Sequence, residues 1–120
     1  MDTERAIDSA EILLRQWAVQ VDSIAPWRLD VLIPISDLRP AAQILCGTEW
    51  GALTSITVLE MGKKERQFEL IYDFRQDQAL VCIKIRLKSR SQVVPSLADI
   101  CACAQPFEAS FRKQYGITFD

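Results

Sequence analysis

Two stretches in the middle of the chain alternate apolar and polar residues with a period of two. In 79–88 (ALVCIKIRLK), Val81, Ile83, Ile85 and Leu87 fall on one side, and Cys82, Lys84, Arg86 and Lys88 on the other. In 66–75 (RQFELIYDFR), Phe68, Leu70, Tyr72 and Phe74 alternate with Gln67, Glu69 and Asp73. This is the period of strands with one face on a core. A turn at Gln76-Asp77 predicts an antiparallel hairpin that sets Phe74 opposite Ala79, Tyr72 opposite Val81, Leu70 opposite Ile83, Phe68 opposite Ile85 and Glu69 opposite Lys84. A slip of one residue would turn every apolar side chain to water, so the facing of this pair is strongly specified.

The flanking elements follow from the same patterns. Ala6, Ala10, Leu13, Trp17 and Val21 recur at helical steps, with Ile7 and Leu14 widening the stripe, and predict a helix from Thr3 to about Val21 capped by Asp2 or Thr3. Asp22-Ser23 loosens the chain, and Trp27–Ile33 alternates as a strand that Pro34 ends. A helix over 38–46 buries Leu38, Ala41, Ala42 and Leu45, with Ser36 or Asp37 as its cap, Pro40 in its first turn and Gly47 as its stop. The stretch 50–61 is a strand, joined through Gly62-Lys63-Lys64-Glu65 to the one beginning near Arg66; an even loop turns Leu59 toward Phe68 and an odd one Val58. After a polar loop at 89–92, Ser96 and Asp99 have the spacing of a capping box for a helix carrying Leu97, Ile100, Cys101 and Ala104 inward. Pro106 predicts a bend or a second short helix, on which Phe107, Phe111 and Tyr115 form one aromatic stripe beside an i,i+4 pair, Glu108 and Arg112. Gly116 ends it and Ile117–Asp120 trails away. The order α-β-α-β-β-β-α predicts an α+β two-layer sandwich, a mainly antiparallel sheet with helices on one face, as a single domain over 1–120. The first strand takes a sheet edge or a parallel partner.

Composition narrows the function. A chain of 120 residues with 49% apolar and 25% charged residues is an ordinary globular length and make-up. The net charge of −2 offers no basic footprint for nucleic acid. Histidine is absent, which removes the commonest general base and transition-metal ligand. No apolar run approaches a membrane span, and the acidic start MDTERAIDSAE lacks the layout of a signal peptide, so the expected place is the cytoplasm with four reduced cysteines.

Candidate chemistry is thin. Cys101-Ala102-Cys103 offers two thiols where a thiolate metal site needs four soft ligands, and Cys46 and Cys82 are distant in sequence. The first reading is small buried residues; a thiol redox role for Cys101 and Cys103 stays open. The carboxylates Glu49, Glu60, Glu69, Asp73 and Glu108 form no locally aimed pair, and Glu69 is accounted for by Lys84 across the hairpin. The row Lys84, Arg86, Lys88, Arg90 either docks an acidic partner or simply guards the sheet against aggregation. Trp17, Trp27 and Trp50 read as core or interface anchors. No Gly-rich phosphate loop and no nucleophile–base pair is present, so no catalytic, cofactor-binding or metal-binding residue is assigned.

The runs RQFELIYDF, CIKIRL and VPSLADICACAQPFEASFRKQYGITF resemble the C-subunit family of respiratory complex I, the proton-pumping NADH:quinone oxidoreductase, which includes small subunits of the energy-converting nickel–iron hydrogenases. Pro95-Ser96, Ala104, Glu108, Tyr115, Gly116, Ile117 and Phe119 fall on the family pattern, and Trp50 stands where members carry a bulky residue before a strand. Ala109, Ser110 and Lys113 depart from it. The chain stops at Asp120, where complex I members run on through a His-Pro-Asp-Leu-Arg-like tail, so it resembles the hydrogenase-type branch more than the NADH-linked one. The resemblance implies a cofactor-free subunit of the peripheral arm, at the cytoplasmic face of the membrane through its partners. It would brace the large catalytic subunit that holds the quinone pocket or the nickel–iron centre and meet other peripheral-arm subunits. Contact candidates are Lys84, Arg86, Lys88, Glu108, Phe111, Tyr115, Gly116 and Phe119. The alternative is a stand-alone α+β interaction or assembly domain.

Overall fold

The central hairpin forms, and the sheet grows from it on both sides. The structure, a computed structural model, describes residues 2–62, 67–89 and 92–120. The turn expected at 62–65, the strand start at Arg66, and Arg90 and Ser91 of the polar loop fall at least partly outside the described residues. Strands β1 (Gln20–Ala25), β2 (Arg28–Leu32), β3 (Ala52–Gly62), β4 (Gln67–Gln76) and β5 (Ala79–Leu87) form one sheet in the order β1-β2-β5-β4-β3. Strand β5 is central, antiparallel to β4 and parallel to β2. The sheet is therefore mixed, and β2 has taken the parallel partner that the sequence left open.

The hairpin keeps the predicted faces but not the predicted pairs. Its turn is Asp77-Gln78, one residue later than expected, so Gln76 faces Ala79, Phe74 faces Val81, Tyr72 Ile83, Leu70 Ile85 and Phe68 Leu87. Glu69 consequently faces Arg86 and not Lys84. Asp77 has φ of 50°, the left-handed conformation that a two-residue loop asks for and that aspartate tolerates better than most residues. Moving the turn by one residue shifts every pair by two, which preserves the side each residue faces. On the other flank Val58 faces Leu70, Ile56 faces Tyr72 and Leu53 faces Phe74, with irregularities at Leu53/Ser55 and Glu60/Gly62. Val58 thus points to the core side and Leu59 is exposed.

Helices α1 (Thr3–Leu14), α2 (Leu38–Gly47) and α3 (Ala104–Tyr115) share one core with that face of the sheet. Asp2 caps α1 by accepting the Arg5 amide at 2.9 Å. The helix stops at Leu14, seven residues early by the sequence reading. The Trp17 amide closes back onto the Leu14 carbonyl at 3.0 Å, and the Val19 amide joins the sheet at the Leu32 carbonyl, 2.8 Å away. Val21, assigned to the helix, lies instead in β1, which returns through Pro26-Trp27 to pair antiparallel with β2. Alternation of Val19 and Val21 with Gln20 and Asp22, ahead of a proline, is the strand signal that the longer helical period concealed. Helix α2 buries Leu38, Ala41, Ala42 and Leu45 as expected. A 3₁₀ turn over Ile35–Asp37 leads into it without a side-chain cap, and it ends at Thr48, whose hydroxyl donates to the Ile44 carbonyl at 2.6 Å.

The last third differs most. No helix starts at Ser96. Val93–Val94 is a short strand, β6, paired in parallel with β7 (Thr118–Phe119), and residues 98–100 form a turn. The tail therefore does not trail away: Ile117 and Phe119 are buried, and the Asp120 amide bonds the Val94 carbonyl at 3.0 Å. Pro106 sits in the first turn of α3, where no amide is needed. Gly116 ends α3 with φ of 70°, its amide donating to the Arg112 carbonyl at 3.1 Å.

Candidate interaction surface

The face of the sheet away from the helices carries charge that is largely neutralised within the chain. Asp30 lies in β2 between Leu29 and Val31, only 3% exposed, and its register partner in β5 is Cys82. Arg28 donates to its Oδ1 from Nε at 2.9 Å and to its Oδ2 from Nη2 at 3.2 Å, and the Lys84 ammonium lies 2.9 Å from the same Oδ2. Burial pushes the Asp30 carboxyl up, but the hydrogen bonds from Arg28 and then Lys84 outweigh it and hold the group below the usual carboxylate range. The same contact, ahead of the opposing burial, raises Lys84. Next along β5, Arg86 reaches Glu69 at 3.2 Å; Glu69 is buried and Arg86 exposed. Cys82 sits in this layer with its thiol pushed up to about 12, first by burial and then by a hydrogen bond with Asp73. It is inert by that measure.

The basic row expected on β5 is thus divided. Lys84 and Arg86 are each committed to a carboxylate on a neighbouring strand, Lys88 is exposed with no ion pair among the described residues, and Arg90 lies outside them. Sequence reasoning missed Asp30, although Arg28-x-Asp30 on one face of a strand was a readable sign of an ion pair.

The carboxy-terminal candidates turn inward. Glu108, 4% exposed, does not pair with Arg112; it accepts the Ser96 hydroxyl at 2.7 Å and the Leu97 amide at 2.9 Å. Arg112 instead donates to the Phe119 carbonyl at 2.6 Å. Asp99, expected to cap a helix at Ser96, takes Arg39 from α2 at 2.7 and 3.0 Å. The aromatic stripe exists, with ring centroids 6.3 Å apart for Phe107/Phe111 and 6.1 Å for Phe111/Tyr115, and Tyr115 meets Phe68 edge-on at 5.6 Å. Phe111 and Phe119 are buried in the chain's own core, Tyr115 is half-buried and Gly116 exposed.

Exposed apolar area collects at β1, the sheet edge. Val19, Val21, Ile24 and Trp27 are 66%, 40%, 55% and 48% exposed along this strand and its turn. A hollow opens at each end. One, about 610 Å³, lies between Trp27, Pro26, Arg75 and the start of α1. The other, about 450 Å³, has Val19, Leu32, Pro34 and Ile35 as its apolar lining and Arg86 and Lys88 among its polar residues. Of the three tryptophans, only Trp50 is fully a core anchor, its indole N–H donating to the Ala6 carbonyl at 2.8 Å. No helix is long and apolar enough to cross a membrane among the described residues.

A family model for the 30 kDa subunit of respiratory-chain NADH dehydrogenase matches residues 31–120. No curated protein sequence matches the chain significantly. Among solved structures, a chain of the membrane-bound sulfane sulfur reductase, an archaeal respiratory membrane complex, superposes with a TM-score of 0.80 at 20% identity, covering 98% of this chain and 71% of that one. The trypsin-resistant fragment (1-134) of Nqo5 gives 0.71 at 17% identity, covering 100% and 96%. These likenesses show a shared fold.

Proposed function

The chain belongs to the 30 kDa subunit family of respiratory-chain NADH dehydrogenase, and from that premise we propose that it is a non-catalytic peripheral-arm subunit of a complex I-related membrane-bound oxidoreductase. Its work is to brace the large catalytic subunit as a single domain, at the cytoplasmic face of the membrane and without inserting into it. Electron carriers belong to its partners. The observation that carries this reading on the molecule is the β1 edge. Strand β1, with its entry and turn, shows four exposed apolar side chains and has no strand on its outer side among the described residues; such an edge is a template for association, and proteins that live alone blunt such edges with charge. Here the neighbouring charges are largely spent on each other, which leaves the edge to a partner.

Contact therefore falls on β1 and the hollow beside it, with Lys88 and Arg86 at the rim, and on Tyr115 and Gly116 at the end of α3. Lys84, Glu108, Phe111 and Phe119 support that surface from within. The test is affinity purification of the tagged chain from detergent-solubilised membranes of its own host, with identification of the co-purifying chains. Large and small subunits of a quinone- or hydrogen-linked oxidoreductase are expected. Val21→Asp together with Lys88→Glu should reduce their yield at least tenfold while leaving the isolated chain's melting temperature within a few degrees, since both residues are exposed. A chain recovered alone is the alternative, a stand-alone interaction domain. Recovery carrying its own iron–sulfur chromophore would overturn the non-catalytic reading.

A further inference from the structure

Two of the four cysteines come together. Cys46, in the last turn of α2, and Cys101, in the segment leading to α3, stand 55 positions apart in sequence, yet their sulfurs are 3.2 Å apart. Cys101 is 8% exposed and Cys46 is half-buried, so one thiol of the pair meets solvent and the other lies behind it. Cys103, the neighbour that spacing alone would pair with Cys101, is directed elsewhere: its sulfur bonds the Leu53 carbonyl at 3.0 Å. Cys82 is buried on the opposite face of the sheet.

We propose that Cys46 and Cys101 form a reversible thiol–disulfide site that fastens the end of α2 to the segment preceding α3. The surroundings suit closure. Two sulfurs already in contact need about 1 Å of approach to reach bonding distance, within the reach of side-chain rotation. The segments that carry them are also tied independently, by Arg39 of α2 to Asp99 and to the Ser96 carbonyl, so the pair is held together before any bond forms. Cys101 lies behind Cys46, and burial, then the hydrogen bond with Cys46, push its thiol up, so the more exposed Cys46 is the sulfur that an outside oxidant reaches first.

The chemistry with a low-molecular-weight disulfide, RSSR, balances as follows. Cys46 loses its proton to water and its thiolate attacks one sulfur of RSSR; the S–S bond breaks and RS⁻ leaves, taking up a proton from water in place of the one Cys46 released, which gives a mixed disulfide on Cys46. Cys101 then attacks the Cys46 sulfur, expelling the second RS⁻, which takes up the Cys101 proton. Two protein thiols are oxidised by two electrons and RSSR is reduced to two RSH. A dithiol reductant reverses both steps.

The folded chain, incubated at neutral pH with oxidised glutathione, is expected to become lighter by two hydrogen atoms, with a proteolytic peptide joining Cys46 to Cys101. Its melting temperature should rise by about 10 °C and fall back on treatment with dithiothreitol, since the bond closes a long loop of the unfolded chain. Cys101→Ser should stop at a glutathione adduct on Cys46, and Cys103→Ser should cross-link like the parent. A native chain that keeps its reduced mass, that accumulates the adduct without closing, or that links through Cys103 overturns the proposal. The wild-type peptide map decides this even where a serine variant fails to fold.

Discussion

Replacing Glu108 tests the account of the chain's last third. Its carboxylate is 4% exposed and accepts two donors, the Ser96 hydroxyl at 2.7 Å and the Leu97 amide at 2.9 Å. Glu108→Ala strips both of their acceptor. Leu97 is fully buried, so its amide cannot turn to water, and an orphaned buried donor costs about 1–3 kcal/mol. Ser96 is half-buried and its hydroxyl can rotate, so its loss counts for less. Alanine recovers only a few tenths of a kcal/mol as a better helix former. The expected net loss is about 2–3 kcal/mol, a fall in melting temperature of about 10 °C. Glu108→Gln keeps one acceptor but turns an amide toward the second donor, and should lose about half as much.

The assay is equilibrium urea unfolding followed by tryptophan fluorescence, with an unchanged slope confirming that the unfolded reference is the same. Ser96→Ala, alone and combined with Glu108→Ala, completes a cycle in which the pair should couple by about 1 kcal/mol. Hydrogen exchange localises the effect. The amides of Ser96 and Asp120, which bond Asp120 and Val94 across the small sheet, should lose protection well before those of β4 and β5. A Glu108→Ala variant within 0.5 kcal/mol of the parent, or one that loosens the central hairpin first, would refute the reasoning.

Asp30 supplies a pH dependence. Its folded carboxyl is held below the ordinary range, so its contribution is complete above the unfolded value, about 4, and is lost as pH falls through the folded one. The stability gap between parent and Asp30→Asn, measured by urea unfolding, should be widest near pH 7 and close below pH 4; a gap independent of pH would sink the assignment. At Gly51 an added Cβ would run into the Arg75 carbonyl on β4, so Gly51→Ala should cost about 1–3 kcal/mol by calorimetry, whereas Gly47→Ala, with open space around it, should cost nothing. The Tyr72 hydroxyl is buried without a hydrogen-bond partner among the described residues, so Tyr72→Phe should be neutral or stabilising by about 1 kcal/mol in the same measurement. A clear loss would reveal a partner for that oxygen.

What could be read from the sequence divides by the distance over which each signal acts. The faces of β4 and β5 and all four buried residues of α2 follow from periods of two and 3.6, which neighbouring residues enforce by themselves. The hairpin register depended on one backbone torsion at Asp77, which periodicity does not encode because a shift of two residues preserves it. Helix α1 was overextended since Trp17 and Val21 satisfy a helical period while Val19 and Val21 satisfy a strand period, and only the presence of β2 decides between them. At Ser96 the local capping partner lost to distant ones. Asp99 went to Arg39, and the Leu97 amide went to Glu108, from positions 60 and 11 residues away. Capping rules describe a helix end left to its own residues, and here tertiary neighbours supplied better ones.

The same division separates the parts of the candidate surface. Lys84 and Arg86 could be identified as a charged row on one face of β5, but whether a cation is free depends on which strand lies beside it. Parallel pairing with β2 brought Asp30 to Lys84, and the shifted hairpin brought Glu69 to Arg86. Each pairing removed a charge from the face that would otherwise have steered a partner electrostatically. On the function proposed above, recognition would rest on shape and apolar contact along β1, with Lys88 as the adjoining cation. A docking surface of that kind should show weak salt dependence, since screening acts on exposed charges and not on buried apolar area. Raising ionic strength from about 0.05 to about 0.5 M during purification should therefore leave the proposed association with a large subunit intact. Release by salt alone would mean that Lys88 and its neighbours, rather than the strand edge, carry the contact.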